Sequence, residues 1–255
     1  MPSVRRCCRH CVRKRQIVWV ACGNCRRRSV VAWGDELGIF GAGWAPTVVP
    51  ESDILPAQPL TLFASGQYNQ SPVVLGTNRS EWGLFQLIGD SETVSSIAEF
   101  NGFVDTTYPA ALAGPLKTLY EPASDAVANA SLIQLLTDQV FRCPTRGLAR
   151  LLQATGSPVW LYSFDYPPAF HAMELPYVFG KPNGLLAPEL NETLRQAVQG
   201  YWTGFATQGV PGAEGLPQWP AYDAVSDQHM SLNDPTLAGQ GLAQTTCDFW
   251  SSLNP

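Results

Sequence analysis

Few side chains in this sequence can move a proton near neutral pH. Histidine occurs only at positions 10, 171 and 229. His171 follows an apolar run, Pro158-Val159-Trp160-Leu161-Tyr162-Ser163-Phe164, and is separated from it by Pro167-Pro168. The run predicts a buried strand, and the paired prolines predict an extended loop after it, where an imidazole can reach a ligand as a general base. Glu81 stands in a similar place after a second apolar run, Ser71-Pro72-Val73-Val74-Leu75-Gly76. A carboxylate after one strand and a histidine after a later one is the order of the acid–base arm of a hydrolase triad. The third member, a serine in a Gly-x-Ser-x-Gly turn, has no counterpart: that pentapeptide occurs nowhere in the 255 residues. Ser80 adjoins Glu81 but lies on the acid's own loop and lacks such a turn, so it is not expected to act as the nucleophile.

The elements that must position these groups read as an α/β fold. Ser71 to Gly76 is apolar on both faces, as in a parallel sheet covered by helices. About eighty residues separate the two strands, too many for a bare loop, so an inserted helical subdomain is expected between them. Residues 91–155 read mainly as helix. Val127, Ile133, Leu135, Leu136 and Val140 form a stripe between Ala126 and Val140, and another helix runs from Thr145 to Leu152 after Pro144. A further helix, from about Pro188 to Gly204, would pack through Leu190, Leu194, Val198 and Trp202. The segment beyond it reads as turns, up to Cys247-Asp248-Phe249-Trp250. The predicted class is α/β with a mostly parallel sheet, whose loops at the carboxyl ends of the strands carry function.

Composition narrows the partners. At 45% hydrophobic the chain can bury a full core, and no run approaches the roughly 18 apolar residues of a membrane helix. Residues 1–30 carry nine Lys or Arg and no acid, while residues 31–255 carry seven against all 21 Asp and Glu, giving +9 and −14. An acidic body repels phosphate, which excludes a nucleic-acid surface there. The basic head, residues 1–30, is expected to be separate from the body, residues 31–255. Its Ile17-Val18-Trp19-Val20-Ala21 stretch is too brief for the core of an export signal. Cys8, Cys11, Cys22 and Cys25 have zinc-ligand spacing, with His10 as an alternative ligand, but few apolar residues accompany them to build a finger. The body has two cysteines, Cys143 and Cys247; a single disulfide and two buried thiols fit that spacing equally well.

Pro72-Val73-Val74-Leu75-Gly76-Thr77-Asn78-Arg79-Ser80-Glu81-Trp82-Gly83-Leu84-Phe85 and Phe170-His171-Ala172-Met173-Glu174-Leu175-Pro176-Tyr177-Val178-Phe179-Gly180 together resemble the acid and histidine loops of the type B carboxylesterases, the α/β-hydrolase group of fungal lipases and cholinesterases. Phe141-Arg142-Cys143-Pro144, Cys247-Asp248-Phe249-Trp250 and Trp219-Pro220-Ala221-Tyr222 extend the likeness, which covers about Gly43 to Leu253. The resemblance implies that Glu81 and His171 are the acid and base of a Ser-Glu-His triad. It also implies a Cys143–Cys247 disulfide, a carboxylic ester as substrate, no cofactor and secretion. Family members often have glycine where this chain has Ala172. The upstream part of such a fold, with its nucleophile elbow and glycine-rich oxyanion loop, has no counterpart in residues 1–42. The expectation is therefore the carboxyl-terminal half of an esterase, from a truncated product or an incomplete gene model. Such a half would have little turnover alone, poor stability, and an open sheet edge able to pair with a missing amino-terminal half. The rivals are a non-catalytic interaction module and an esterase with a non-standard nucleophile. Sequons at Asn78, Asn129 and Asn191 permit glycosylation, and a glycan on Asn78 would crowd the acid loop.

Overall fold

A computed structural model describes residues 55–182, 184 and 189–253. By contacts the chain divides into Met1–Gln58 and Pro59–Pro255. The candidate zinc ligands Cys8, Cys11, Cys22 and Cys25, and the expected boundary after residue 30, lie outside the described residues.

In chain order the described elements are α1 (Pro59–Ala64), β1 (Val73–Asn78), α2 (Gly83–Leu87), α3 (Ile97–Thr107) and α4 (Ala110–Leu119). A 3-10 turn (Asp125–Val127) leads into α5 (Ala128–Thr137), a π turn (Asp138–Arg142) and α6 (Cys143–Ala154). Next come β2 (Val159–Phe164), α7 (Leu175–Phe179), α8 (Glu192–Gln208), β3 (His229–Leu232), β4 (Leu237–Gly239) and α9 (Gln244–Ser252). The sheet order is β1-β2-β3-β4. The first three strands are parallel, and β4 returns antiparallel to β3.

Local chemistry sets the helix boundaries. At α3 the Ser96 hydroxyl accepts from Glu99 N, while the Glu99 carboxylate accepts from Ser95 N, which satisfies two amides at the helix start. Asn191 caps α8 by accepting from Leu194 N, and Gly209 ends it at φ +73°. The two helices expected between residues 126 and 152 are one continuous run. Pro144 has no amide to donate and its ring crowds the carbonyl four residues back; the π turn just before it puts that defect in the first turn of α6.

Both faces of the sheet are covered. Trp160, Phe164, Met230 and Leu232 meet Leu194, Val198 and Tyr201 of α8 on one face. On the other, Val159 and Leu161 meet Ala149 and Leu152 of α6. The helices between β1 and β2 bury a core of their own around Phe100, Val104, Leu116, Leu132 and Leu135. That is the inserted subdomain the long crossover required. Cys143 and Cys247 are bonded, with Cα atoms 4.9 Å apart, so the disulfide joins the start of α6 to α9. Beside it the buried Arg146 bonds both Asp227 and Asp248.

Two departures from the sequence reading concern the sheet. The expected turn-rich tail contains β3, β4 and α9; the strands are only four and three residues long, too short for a periodic signal. Strand β1 is half-buried from Val73 to Gly76 rather than enclosed, because among the described residues it is paired on one side only. Val73 N donates to Pro158 O and Arg79 N to Phe164 O, so the alternation turns the amides of Val74 and Gly76 away from β2.

Candidate active site

The ends of β1 and β2 lie side by side in register, Asn78 opposite Phe164, so the loops that follow them meet. Backbone bonds join them: Arg79 N donates to Phe164 O and Ser80 N to Ala169 O, each at 2.9 Å. Gly83, at the start of α2, lies against the Phe170 ring so closely that a Cβ would overlap it. A guanidinium nitrogen of Arg142 donates to Arg79 O at 2.7 Å, fixing the acid loop to the π turn. The second loop carries a cis Pro167–Pro168 peptide, with Ala169 at φ +54° and Ala172 at φ +64°.

These constraints bring Glu81 and His171 together across 90 positions. Oε2 of Glu81 lies 2.7 Å from Nδ1 of His171, and Oε1 accepts from Asn78 N, also at 2.7 Å. The carboxylate is buried, at 7% exposure, whereas the imidazole is 40% exposed. The imidazole ring lies 5.5 Å from Phe85 and 5.3 Å from Phe141, measured between centroids, and the two phenyl rings stack on one another. Aromatic walls and the carboxylate fix the ring plane, and Nε2 has no hydrogen-bond partner among the described residues. The bond from Glu81 raises the His171 pKa above its ordinary value against an opposing effect of burial. An imidazole held this way has Nδ1–H donating to the carboxylate, which leaves Nε2 free to accept a proton.

A second carboxylate, Glu174, stands behind this pair. Burial pushes its pKa up, while a 2.6 Å bond from the Asn78 side chain opposes the shift. Asn78, Glu174, Phe85, Phe141 and Arg142 were not singled out as site residues from the sequence. Asn78 drew notice as a sequon, yet its side chain is 1% exposed and bonded inside the site, leaving no room for a glycan in this fold. The amides of Asn129 and Asn191 donate to Gln86 and Asp234. Ser80 makes no hydrogen bond to His171. His229 sits on β3, where burial lowers its pKa. Among the described residues no group of three or more metal-ligating side chains could hold a metal ion.

Known proteins resemble this chain in sequence. The carboxylesterase family profile matches residues 32–250. The chain belongs to the carboxylesterase family. This match begins upstream of Gly43, where the likeness in the acid and histidine loops and their flanks begins. The carboxylesterase chain is 28% identical to carboxylesterase 5A of Canis lupus familiaris and 29% identical to the liver carboxylesterase of Sus scrofa, each over 235 residues. Each alignment covers 82% of this chain and 41% of the relative. Carboxylesterase 3 of Pongo abelii is 27% identical over 87% of this chain and 45% of its own length. The chain thus spans about two fifths of the curated relatives it matches, consistent with a carboxyl-terminal fragment of such a protein. The fold is that of an α/β-hydrolase, and no helix among the described residues is long and apolar enough to cross a membrane.

Proposed function

We propose that this chain supplies the base and acid of a serine-type carboxylic ester hydrolase, His171 and Glu81, and that the nucleophile and oxyanion donors come from sequence outside it. The observation that carries this reading is the 2.7 Å bond between Glu81 and Nδ1 of a half-exposed imidazole whose Nε2 has no hydrogen-bond partner among the described residues. In the complete site Nε2 takes the proton of the attacking serine hydroxyl and later returns it to the departing alcohol. Glu81 keeps the proton on Nδ1 and stabilises the imidazolium between those steps. The chemistry calls for no metal or cofactor.

The body from residue 31 onward is the esterase part, and residues 1–30 are a separate head. The edge of β1, unpaired among the described residues and with the amides of Val74 and Gly76 turned outward, supports pairing with an amino-terminal half outside this sequence. The Cys143–Cys247 bond supports passage through an oxidising, secretory compartment. The substrate is a carboxylic ester, as the names of the relatives suggest.

Hydrolysis of a short-chain p-nitrophenyl ester by the purified chain, beside a His171→Ala control, tests the missing nucleophile. Equal rates are expected. Turnover that disappears in the control would show that His171 already has a working nucleophile within the chain.

A further inference from the structure

Glu81 and His171 lie on different loops, and a general base is effective only where its partner holds it in place. One residue touches both loops, through its backbone on one and its side chain on the other. Asn78 is 1% exposed at the end of β1. Its backbone N–H donates to Glu81 Oε1 at 2.7 Å, and its Nδ2 donates to the carbonyl of Phe170, the residue before His171, at 2.6 Å. The same nitrogen donates to Glu174 Oε2, three residues after His171, at 2.6 Å. The base is thereby held on both sides by a residue that also holds the acid.

The orientation of that amide follows from its partners. Phe170 O can only accept, and so can an ionised Glu174, so the nitrogen must face them. Oδ1 is then left buried with no donor among the described residues. Such an atom keeps the desolvation penalty of burial with no hydrogen bond to offset it. An amide serving stability alone would gain by pairing its oxygen. Here the two donor bonds to the base loop are kept and the oxygen is left unpaired.

We infer that Asn78 is a positioning residue, which sets the separation and alignment of Glu81 and His171 by tying the base loop to the acid loop. The inference rests on the reading of those two residues as the acid–base pair. Asn78 touches no substrate; it acts through His171.

Proton NMR of the unmodified chain and of Asn78→Ala separates positioning from a merely structural role. A strong Nδ1–H bond to a carboxylate gives a far-downfield imidazole N–H resonance, assigned to His171 by its absence in His171→Ala. The resonance is expected in the parent and is expected to vanish or move upfield in Asn78→Ala, with the far-ultraviolet circular dichroism retained. Asn78→Ser, too short to reach both Phe170 O and Glu174, serves as the second variant if the alanine chain does not fold, and the same loss is expected. A resonance unchanged in the folded variant, even with a lowered melting temperature, would overturn the positioning role. Absence of the resonance from the parent would instead overturn the acid–base pair itself, and the inference with it.

Discussion

Ala172, immediately after His171, adopts φ +64°, a conformation in which a Cβ crowds the following carbonyl. That strain is about 1–2 kcal/mol for an L-residue. Replacing Ala172 by glycine relieves it but adds freedom to the unfolded chain, which offsets about 0.4–1 kcal/mol. The expected net gain for Ala172→Gly is about 0.5–1 kcal/mol. For a chain of this size that raises the melting temperature by roughly 1–4 °C. Ala169, at φ +54° on the same loop, provides the control. Its methyl group is fully buried in the core beside Phe164 and Tyr177. Removing a buried group of that size costs about 0.8 kcal/mol, which cancels the relief. Urea and thermal melts of the parent, Ala172→Gly and Ala169→Gly should therefore rank Ala172→Gly highest, with Ala169→Gly near the parent. Equal shifts in the two variants, or a loss of stability in Ala172→Gly, would refute this balance of strain against packing.

A Cβ at Gly76 would overlap the ring of Tyr162, which is itself held between Trp202 and Trp219; Gly76→Ala should therefore lose about 1–3 kcal/mol in urea titration. The Cys143–Cys247 bond closes 104 positions, for which loop entropy gives about 4.7 kcal/mol; Cys143→Ser/Cys247→Ser should unfold at much lower urea than the oxidised parent, and coincident curves would contradict this. Burial raises the Glu174 pKa, so its contribution to stability is full when the group is protonated at acid pH and is lost as pH rises through the raised value. Glu174→Gln should accordingly be more stable than the parent at pH 8, with a difference that shrinks on acidification; a pH-independent difference would count against a desolvated carboxylate.

How much was legible in the sequence differs by element. Strands β1 and β2 were plain because each contains an apolar run rich in β-branched or aromatic residues, although β1 continues past Gly76, where the sequence reading ended it, to Asn78; Glu81 and His171 lie on the loops that follow. The helical subdomain was legible because the crossover was too long to be anything else. Strands β3 and β4 were not, since His229-Met230-Ser231-Leu232 alternates over four residues and reads as well as a turn. The single helical run through Pro144 was hidden because proline ordinarily breaks a helix, and only a π turn ahead of it allows continuation. Glu81 and His171 could be picked out by type and order. Asn78 and Glu174 could not, because their importance lies in bonds across 92 and 96 positions that no local pattern encodes. The one available signal was proximity to the motif: Asn78 is three residues before Glu81, and Glu174 three after His171.

The Glu81–His171 pair is tested most directly by an NMR pH titration of the His171 imidazole in the parent chain and in Glu81→Gln. Glu81 raises that pKa while burial lowers it. The parent should therefore titrate above the ordinary imidazole value of about 6.5, and Glu81→Gln should titrate clearly lower. An imidazole that titrates at the ordinary value in the parent and does not respond to Glu81→Gln would contradict the pairing of acid and base on which the proposed function stands.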